Sequence, residues 1–466
     1  MDRILEEIEK KKIRFIQLQF MDILGLPKSV MIPESKLAEV MEGGIHFDGS
    51  SVVGYATIDE SDMILRPDPK TFQVLPWTHK DTALDGQTLG QPTARLICDV
   101  NTPDNRPFEG DPRAILKREM ARAKEKGFIF NTGPELEFFL FKVKDGRPSV
   151  CIDDFGGYFE LLSTQKLQVI NEIVYYLNLM DFDVEAYHHE VAPSQYEVNP
   201  RFCEALLSAD KVQMIKYVVK TIAARHGLYA TFMPKPLHGV CGSGMHVNQS
   251  LFTLDGENAF YDPNGKWELS ETALYYLSGL LNHAREFCAI QASWVNSYKR
   301  LVVGYEAPVY VAWASMNRSA LLRIPAGRGK STRIEMRNPD PAGNPYLQFA
   351  VMLAAGLKGM EEHQAPPEPV EKGLEQPAAP PLRLRLPEPI VGNIYKLSQK
   401  ERDAKGIKSL PSNLGEALYH MEKSEFMWKT LGSNLMNHFL TVKKKEYDEY
   451  RTQVTEWERE KLLPIL

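Results

Sequence analysis

Between Asn317 and Tyr346 the chain reads NRSALLRIPAGRGKSTRIEMRNPDPAGNPY, with five arginines and Lys330 set against two acidic residues. Within it, Arg333-Ile334-Glu335-Met336-Arg337 alternates strictly. Successive side chains on a strand face opposite sides. The run therefore predicts a strand that buries Ile334 and Met336 and sends Arg333, Glu335 and Arg337 to one other face. A sheet that accepts it must give three charged side chains a common face, and few folds do. Two readings follow: a surface salt-bridge ladder, or an arginine clamp for phosphoryl oxygens with a carboxylate that holds a metal. The formal net charge of the chain is -6, so a basic segment of this density predicts an anionic partner at that place.

There is ample material to build such a sheet. The chain has 466 residues, 43% of them apolar, enough for large cores and more than one domain. No Lys/Arg block is interleaved with aromatics, which argues against nucleic acid as a partner. Cys98, Cys151, Cys203, Cys241 and Cys288 form no CxxC pair. Neither a disulfide framework nor a cysteine zinc site is expected, and a reducing, cytoplasmic setting is. The first residues, MDRILEEIEKKKIRF, lack an apolar signal core. No run approaches the roughly 18 apolar residues of a membrane span, so no membrane partner is expected.

Taken in order, residues 1–12 predict a short charged helix and 13–20 an alternating strand, with strands and turns dominating to about residue 103. Phe47-Asp48-Gly49-Ser50-Ser51 reads as a tight turn. After the break at 101–107, Asp111 as N-cap, Pro112 at the first helical position and Gly127 beyond the end bracket a helix over 112–126. A domain boundary is expected there, giving domains 1–105 and 106–466. FIFNTGPELEFFLF, 128–141, predicts a turn feeding an apolar strand. Further helices are expected over 166–180, 203–226, 270–289, 345–360 and through 413–460. Residues 364–389, rich in proline, read as an extended surface insertion.

Carboxylates recur on these predicted strands. Glu135 and Glu137 are two apart and share a face, as do His246, Asn248 and Ser250 after the permissive Gly242-Ser243-Gly244 loop. The segment DVEAYHHEVAPSQYEVNP adds Glu185, Glu190 and Glu197. Its His188-His189 pair lacks the HExxH or cysteine partners that a zinc site needs. Paired buried carboxylates repel unless a cation compensates them. Pooled with one imidazole, this oxygen-rich set suits magnesium or manganese, and its size suggests two ions. Two divalent ions facing an arginine cluster point to phosphoryl transfer. Gly329-Lys330-Ser331 ends like a P-loop, but Ile324 stands where the first glycine belongs. The nucleotide is therefore expected on a sheet surface.

In order, the motifs FDGSS, GPELEFFLF, HHEVAPSQYEV, ATFMPKPLHGVCGSGMH, NSYKRLVVGYEAP, NRSALLRIP and TRIEMRNPDPAGNPYL resemble type I glutamine synthetase. The likeness is closest to the subtype that is not adenylylated. It implies an α+β fold: an N-terminal β-grasp domain and a catalytic α/β domain with a curved antiparallel sheet. It also implies a homo-oligomer, a dodecamer of two hexameric rings with active sites between subunits. By position, Glu137, Glu190 and Glu197 resemble the ligands of the metal near glutamate, and Glu135, His246 and Glu335 those of the metal on ATP. The resemblance thus implies two or more Mg2+ or Mn2+ ions per site. Arg300 would hold the L-glutamate α-carboxylate, with Cys241 and Gly242 lining its pocket. Arg318 and Arg337 would meet the transferring phosphoryl group and the substrate carboxylate. Arg323, Lys330 and Arg333 match ATP-side positions, joined by Glu185, Phe202, Asn248 and Ser250. Asp48 and Ser51 of the adjacent subunit, with Tyr158 and Glu190, would bind ammonium, with Asp48 the proton acceptor. Glu306 would ride on a flap.

The activity so implied is ATP-dependent ligation of ammonia to L-glutamate through γ-glutamyl phosphate. The chain departs from the family pattern at four positions: the family usually has asparagine at Cys241, proline at Val303 and Leu136, and histidine at Asn248. Tyr395 stands where one subtype is adenylylated, and Thr57 where the other commonly has a feedback arginine. The alternatives are a γ-glutamyl-amine ligase on the same scaffold and a non-catalytic homologue. The intact DGSS motif favours ammonia over a larger amine, and the six retained metal-ligand positions favour an enzyme.

Overall fold

The computed structural model describes residues 2–55, 62–84, 86–150, 154, 156–160, 165–315, 320–363, 365–367, 398–404 and 406–466. Thr57, Cys151, Arg318, Tyr395 and nearly all of segment 364–389 lie outside the described residues. The charged N-terminal stretch forms helix α1 (Asp2–Lys11), which buries Ile4 and Ile8 one turn apart. Strand β1 (Phe15–Met21) follows and buries Ile16 and Leu18 completely. It pairs antiparallel with β2 (Pro27–Pro33). Beyond α2 (Leu37–Gly43), the strands β3 (Ile45–Asp48), β4 (Asp62–Pro67), β5 (Gln73–Val74) and β6 (Thr93–Asn101) complete a sheet of order β2-β1-β6-β4-β3, with β5 on β6. The β1–β6 pairing is parallel. Asp48, at the end of β3, caps the DGSS turn by accepting from Ser50 N–H.

Helix α3 (Pro112–Glu125) starts as the sequence requires: Asp111 accepts from Arg113 N–H, Pro112 takes the first helical position, and Gly127 follows with φ +86°. The same Arg113 ties the two parts of the chain together. Its guanidinium is almost wholly buried and reaches Asp99 at 2.6 Å, Asp68 at 2.9 Å and Asp210 at 3.1 Å. Asp68 and Asp99 belong to the N-terminal sheet region, Asp210 to helix α5 (Ala205–Arg225). Nearby, Gly25 has φ +81°, and a Cβ there would stand 2.8 Å from Gly343 O. The turn after β1 can approach the loop before the 345–362 helix only as glycine.

The second sheet is built on β7 (Phe128–Lys144). The expected turn at Thr132-Gly133-Pro134 is absent. These residues lie opposite Gln249, Asn248 and Val247 in a nine-residue antiparallel register with β13 (Met245–Thr253). Pairing along the whole neighbour overrides the turn propensity of an isolated tripeptide. β8 (Arg147–Ser149), β10 (Gln195–Pro200), β11 (Cys203–Glu204) and β12 (Leu228–Thr231) also pair with β7, and β9 (Val184–His189) pairs with β10. Beyond β13 come β16 (Ile334–Met336), β15 (Leu322–Arg323) and β14 (Trp313–Ala314).

Helices cover one face of this sheet: α4 (Gln165–Leu179), α5 (Ala205–Arg225), α6 (Glu271–His283) and, after the short α7 (Cys288–Gln291) and α8 (Ser297–Arg300), α9 (Pro345–Glu362). The single helix expected over 270–289 is interrupted, because Glu286 and Phe287 N–H groups both bond His283 O and turn the chain before α7. Fourteen of the 18 residues of α9 are buried, as for a helix packed all round. The region 413–460 is helical in pieces, Leu414–Glu422, Glu425–Leu431, Ser433–Arg451 and Glu456–Leu462. No helix among the described residues is long and apolar enough to cross a membrane.

Replacing Arg113 by methionine strands Asp68 and Asp210 without their cation. The expected loss is about 3–5 kcal/mol, the scale of breaking a buried ion pair from one side, read as a lower guanidinium midpoint. A midpoint equal to wild type would show that these carboxylates do not depend on Arg113.

Candidate active site

Strand register lines up the acidic residues. Glu197 on β10 lies opposite Glu137 on β7 and, on its other side, opposite His188 on β9. On β7, two residues from Glu137, Glu135 lies opposite His246 on β13. Asn248 on β13 lies opposite Glu335 on β16, which in turn faces Arg323 on β15. Period-two alternation keeps all of them on the face away from Leu136, Phe138, Ile334 and Met336, which are fully buried on the helix side. One charged row thus crosses six adjacent strands.

Two groups in this row bring ligand atoms within 4.8 Å of one another: Glu135, His246 and Glu335, and His188, Glu190 and Glu197. In the first, His246 Nδ1 lies 3.2 Å from Glu135 Oε2 and 3.9 Å from Glu335 Oε1. In the second, His188 Nε2 lies 3.2 Å from Glu197 Oε1. Glu137 sits between them, with Oε1 4.0 Å from His246 Nε2. It accepts at Oε2 from Gln195 Nε2 at 2.8 Å and from Gly244 N–H at 3.0 Å. Gly244 is required there, since a Cβ would stand 2.5 Å from an Arg300 guanidinium nitrogen.

The electrostatics show what this crowding costs. Burial, and then Glu190 and Glu197, push the Glu137 carboxyl well above the usual carboxylate range, with Arg300 opposing. Burial and then Glu197 push Glu190 up to about 7. These raised values mean that the folded chain binds more protons than the unfolded one between about 4.5 and about 7, so the pair opposes folding increasingly as pH rises through that window. Burial, and then Arg337, hold His246 well below its ordinary value, so its imidazole stays neutral with a lone pair to offer. Donors of this kind, oxygen-rich with neutral imidazole, fit divalent cations.

Cations of the chain itself close the site. Glu335, fully buried, pairs with both Arg323 and Arg337. Arg300 is fixed by donating to the carbonyls of Arg337 at 3.0 Å, Asn338 at 3.1 Å and Pro339 at 3.3 Å. A cavity of about 510 Å³ collects Glu135, Glu137, Glu190, Glu197, His246, Glu335, Arg300, Arg323 and Arg337 with Tyr158, Cys241, Gly242 and Glu306. A second, of about 490 Å³, shares Glu135 and adds Glu185, Phe202, Asn248, Ser250, Lys330 and Arg333. Arg333 Nε donates to Asn248 Oδ1 at 2.9 Å. Phe202 is half exposed there. The loop over the first cavity carries Gly304 at φ +94° and Glu306 at φ +55°, while Val302 and Val303 stand open to solvent.

The predicted residues thus divide between two adjoining cavities, with three exceptions. Asp48 and Ser51 line neither cavity. Arg318 lies outside the described residues. His188, Gln195 and Tyr305 also line the first cavity and were not singled out as site residues from the sequence. His188 was legible only through the β9–β10 register, which places it opposite Glu197, and Gln195 through its position two before Glu197 on the same strand face. Arg328, the fifth arginine of segment 317–346, donates to the carbonyls of Trp267, Pro325 and Gly327 and pins its own loop.

Two family models match this chain: the glutamine synthetase β-grasp domain over residues 12–103, and the glutamine synthetase catalytic domain over 109–380 and 382–462. Among curated relatives, a glutamine synthetase of Methanosarcina mazei is 49% identical over 99% of this chain and 97% of its own length. One of Staphylococcus aureus is 48% identical over 99% and 98%. A solved structure described as a GmaS/ADP complex superposes with a TM-score of 0.86 at 32% identity, over the full length of both chains. A ligand-free GmaS structure gives 0.83 at 31%. With an N-terminal β-grasp domain, a catalytic domain and an α+β architecture that match from end to end, the chain belongs to the glutamine synthetase family, a family of ligases.

Proposed function

We propose that this protein is an ATP-dependent glutamate–ammonia ligase, forming L-glutamine, ADP and phosphate. The observation that carries the reading is the pair of adjoining cavities: one crowded with carboxylates and arginines, the other open and partly aromatic, sharing Glu135. The first suits an amino acid and a phosphoryl group in transfer, the second a nucleotide. A structural relative solved with ADP supports the second assignment.

The γ-carboxylate of glutamate is a poor electrophile. In the first step one of its oxygens bonds to the γ-phosphorus of ATP while the bond to the bridging oxygen of ADP breaks, giving γ-glutamyl phosphate. In the second, ammonia attacks the acyl carbon and phosphate leaves. Arg300, held rigid by three carbonyls, anchors the α-carboxylate, with Gly242 and Cys241 beside the amino-acid backbone. Arg337 and Arg318 spread the charge of the moving phosphoryl group. Arg323, Lys330, Arg333, Glu185, Phe202, Asn248 and Ser250 position the nucleotide. Glu137, Glu190 and Glu197 would hold one magnesium or manganese ion, with His188 beside them, and Glu135, His246 and Glu335 the other. When bound, the ions neutralise phosphate charge.

Asp48 and Ser51 act in the site of an adjacent subunit, with Tyr158 and Glu190, in a dodecamer of two hexameric rings. That neither lines a cavity of its own chain supports this assignment. Hydrogen bonds from Ser50 and then Ser51 hold the Asp48 carboxyl below its usual range, so it stays anionic, as binding ammonium requires. It then takes the proton released as the nitrogen attacks. Glu306 on its loop excludes water from the acyl phosphate. In this reading residues 1–105 form the domain that supplies Asp48, and 106–466 the catalytic domain.

Phosphate release from ATP by purified protein with glutamate and Mg2+ is expected to require ammonium. Turnover with methylamine or larger amines but none with ammonium would move the assignment to a γ-glutamyl-amine ligase. Glu335→Ala is expected to lower turnover at least about a hundredfold, the scale of losing one preorganised electrostatic contact, with the assembly intact; near-normal rates would remove Glu335 from the metal site. A third measurement reads the ions without activity. Burial and neighbouring carboxylates raise Glu137 and push Glu190 up to about 7, so a cation bound there must displace protons. Adding Mn2+ at pH 7 should therefore release protons to a dye indicator, less as pH rises beyond the value of Glu190, and less in Glu190→Gln. No release in wild type would show these carboxyls to be outside the cation site.

A further inference from the structure

A third large cavity, about 500 Å³, shares no lining residue with the other two and lies where α1, the segment from Pro69 to Thr82 and Leu179 at the end of α4 meet. It spans the seam between the N-terminal sheet region and the catalytic part, which Gln73 crosses by donating to Met180 O at 3.1 Å. Its size matches the two catalytic cavities, and the proposed reaction uses none of its residues.

The charge of its lining is unusual for this chain. Arg3, Lys11 and Lys70 face it with a single carboxylate, Glu7, although the whole chain carries a net charge of -6. Glu7 has Lys10 at 3.9 Å. Among the described residues Arg3, Lys11 and Lys70 enter no ion pair. His79 also lines the cavity. It is 8% exposed, and among the described residues its Nε2 has no hydrogen-bond partner. A buried imidazole nitrogen left without a partner beside three unpaired cations is what an anion-binding site looks like when nothing is bound. Phe72 and Leu179 supply an apolar wall, and the volume exceeds what a bare oxyanion would fill.

We propose that this seam cavity binds a small metabolite carrying a dianionic group, phosphate or paired carboxylates, on an apolar body. Arg3, Lys11, Lys70 and His79 receive the dianion, and the body lies against Phe72 and Leu179. A ligand so held touches α1, the N-terminal sheet region and α4 at once, and so couples the domain that carries Asp48 to the catalytic part. This goes beyond the proposed catalytic function and does not depend on it.

Isothermal titration calorimetry on the full-length protein tests the site with three probes: phenyl phosphate, phthalate and inorganic phosphate. Phenyl phosphate or phthalate is expected to bind at least about tenfold more tightly than inorganic phosphate, and the tighter of the two identifies the headgroup. Arg3→Glu/Lys70→Glu, at two exposed side chains, should weaken that binding at least about tenfold while leaving turnover unchanged. Arg333→Ala, on the nucleotide side, should leave the binding as it is. If the double variant fails to fold, Lys70→Ala should still weaken binding about threefold. The proposal is overturned by no binding of either organic probe, by equal affinity for all three, which means an adventitious ion only, or by an affinity that follows Arg333 instead of Arg3 and Lys70.

Discussion

Everything around the central sheet answers to one electrostatic problem: carboxylates gathered on a sheet face that is largely shut off from water. Glu137, Glu190, Glu197 and Glu335 are all nine-tenths buried or more, and mutual repulsion adds to the loss of hydration. The chain answers with Arg300, Arg323 and Arg337, of which the last two pair with Glu335. Around Glu137, Glu190 and Glu197 it supplies mainly amide donors, Gln195 and Gly244 to Glu137, Val191 to Glu190 and Asn199 to Glu197, with His188 beside Glu197 and Arg300 at longer range. The two carboxyls with raised values, Glu137 and Glu190, sit on that side of the cavity.

A row of charges holds its spacing only if the strands beneath it cannot slip. A one-residue shift of β13 or β10 against β7 would turn His246 or Glu197 to the helix side. The 17-residue β7, paired along its length, and the apolar layer of Leu136, Phe138, Ile334 and Met336 packed beneath make such a shift prohibitive. The loop that carries Glu306 is more lightly packed, with Val302 and Val303 exposed. A stiff sheet is what a row of positioned charges requires.

The elements that were legible in the sequence are those with strong local chemistry. Asp111-Pro112 and Gly127 bracketed α3 to within a residue, and alternation put Glu135 and Glu137 on one face. Local reading failed where neighbours decided. Thr132-Gly133-Pro134 carries turn residues, yet pairing with β13 draws it straight. The 270–289 helix carries helical periodicity, yet it breaks after His283. His188 looked like half of an unsupported zinc motif until β9 was laid against β10.

By itself the sequence determined which residue types stand at which spacing: alternating carboxylates and arginines, apolar partners in between, and a motif order specific enough to predict the family. Those are properties of nearest neighbours along the chain, and backbone periodicity converts them directly into faces. Only the tertiary structure decided which faces meet. It joined six strands from distant stretches into one charged row, kept Asp48 and Ser51 out of the two cavities of their own chain, and gathered Arg3, Lys11, Lys70 and His79 around the seam cavity. Such outcomes depend on register and packing between segments far apart in sequence, and no local pattern carries that information.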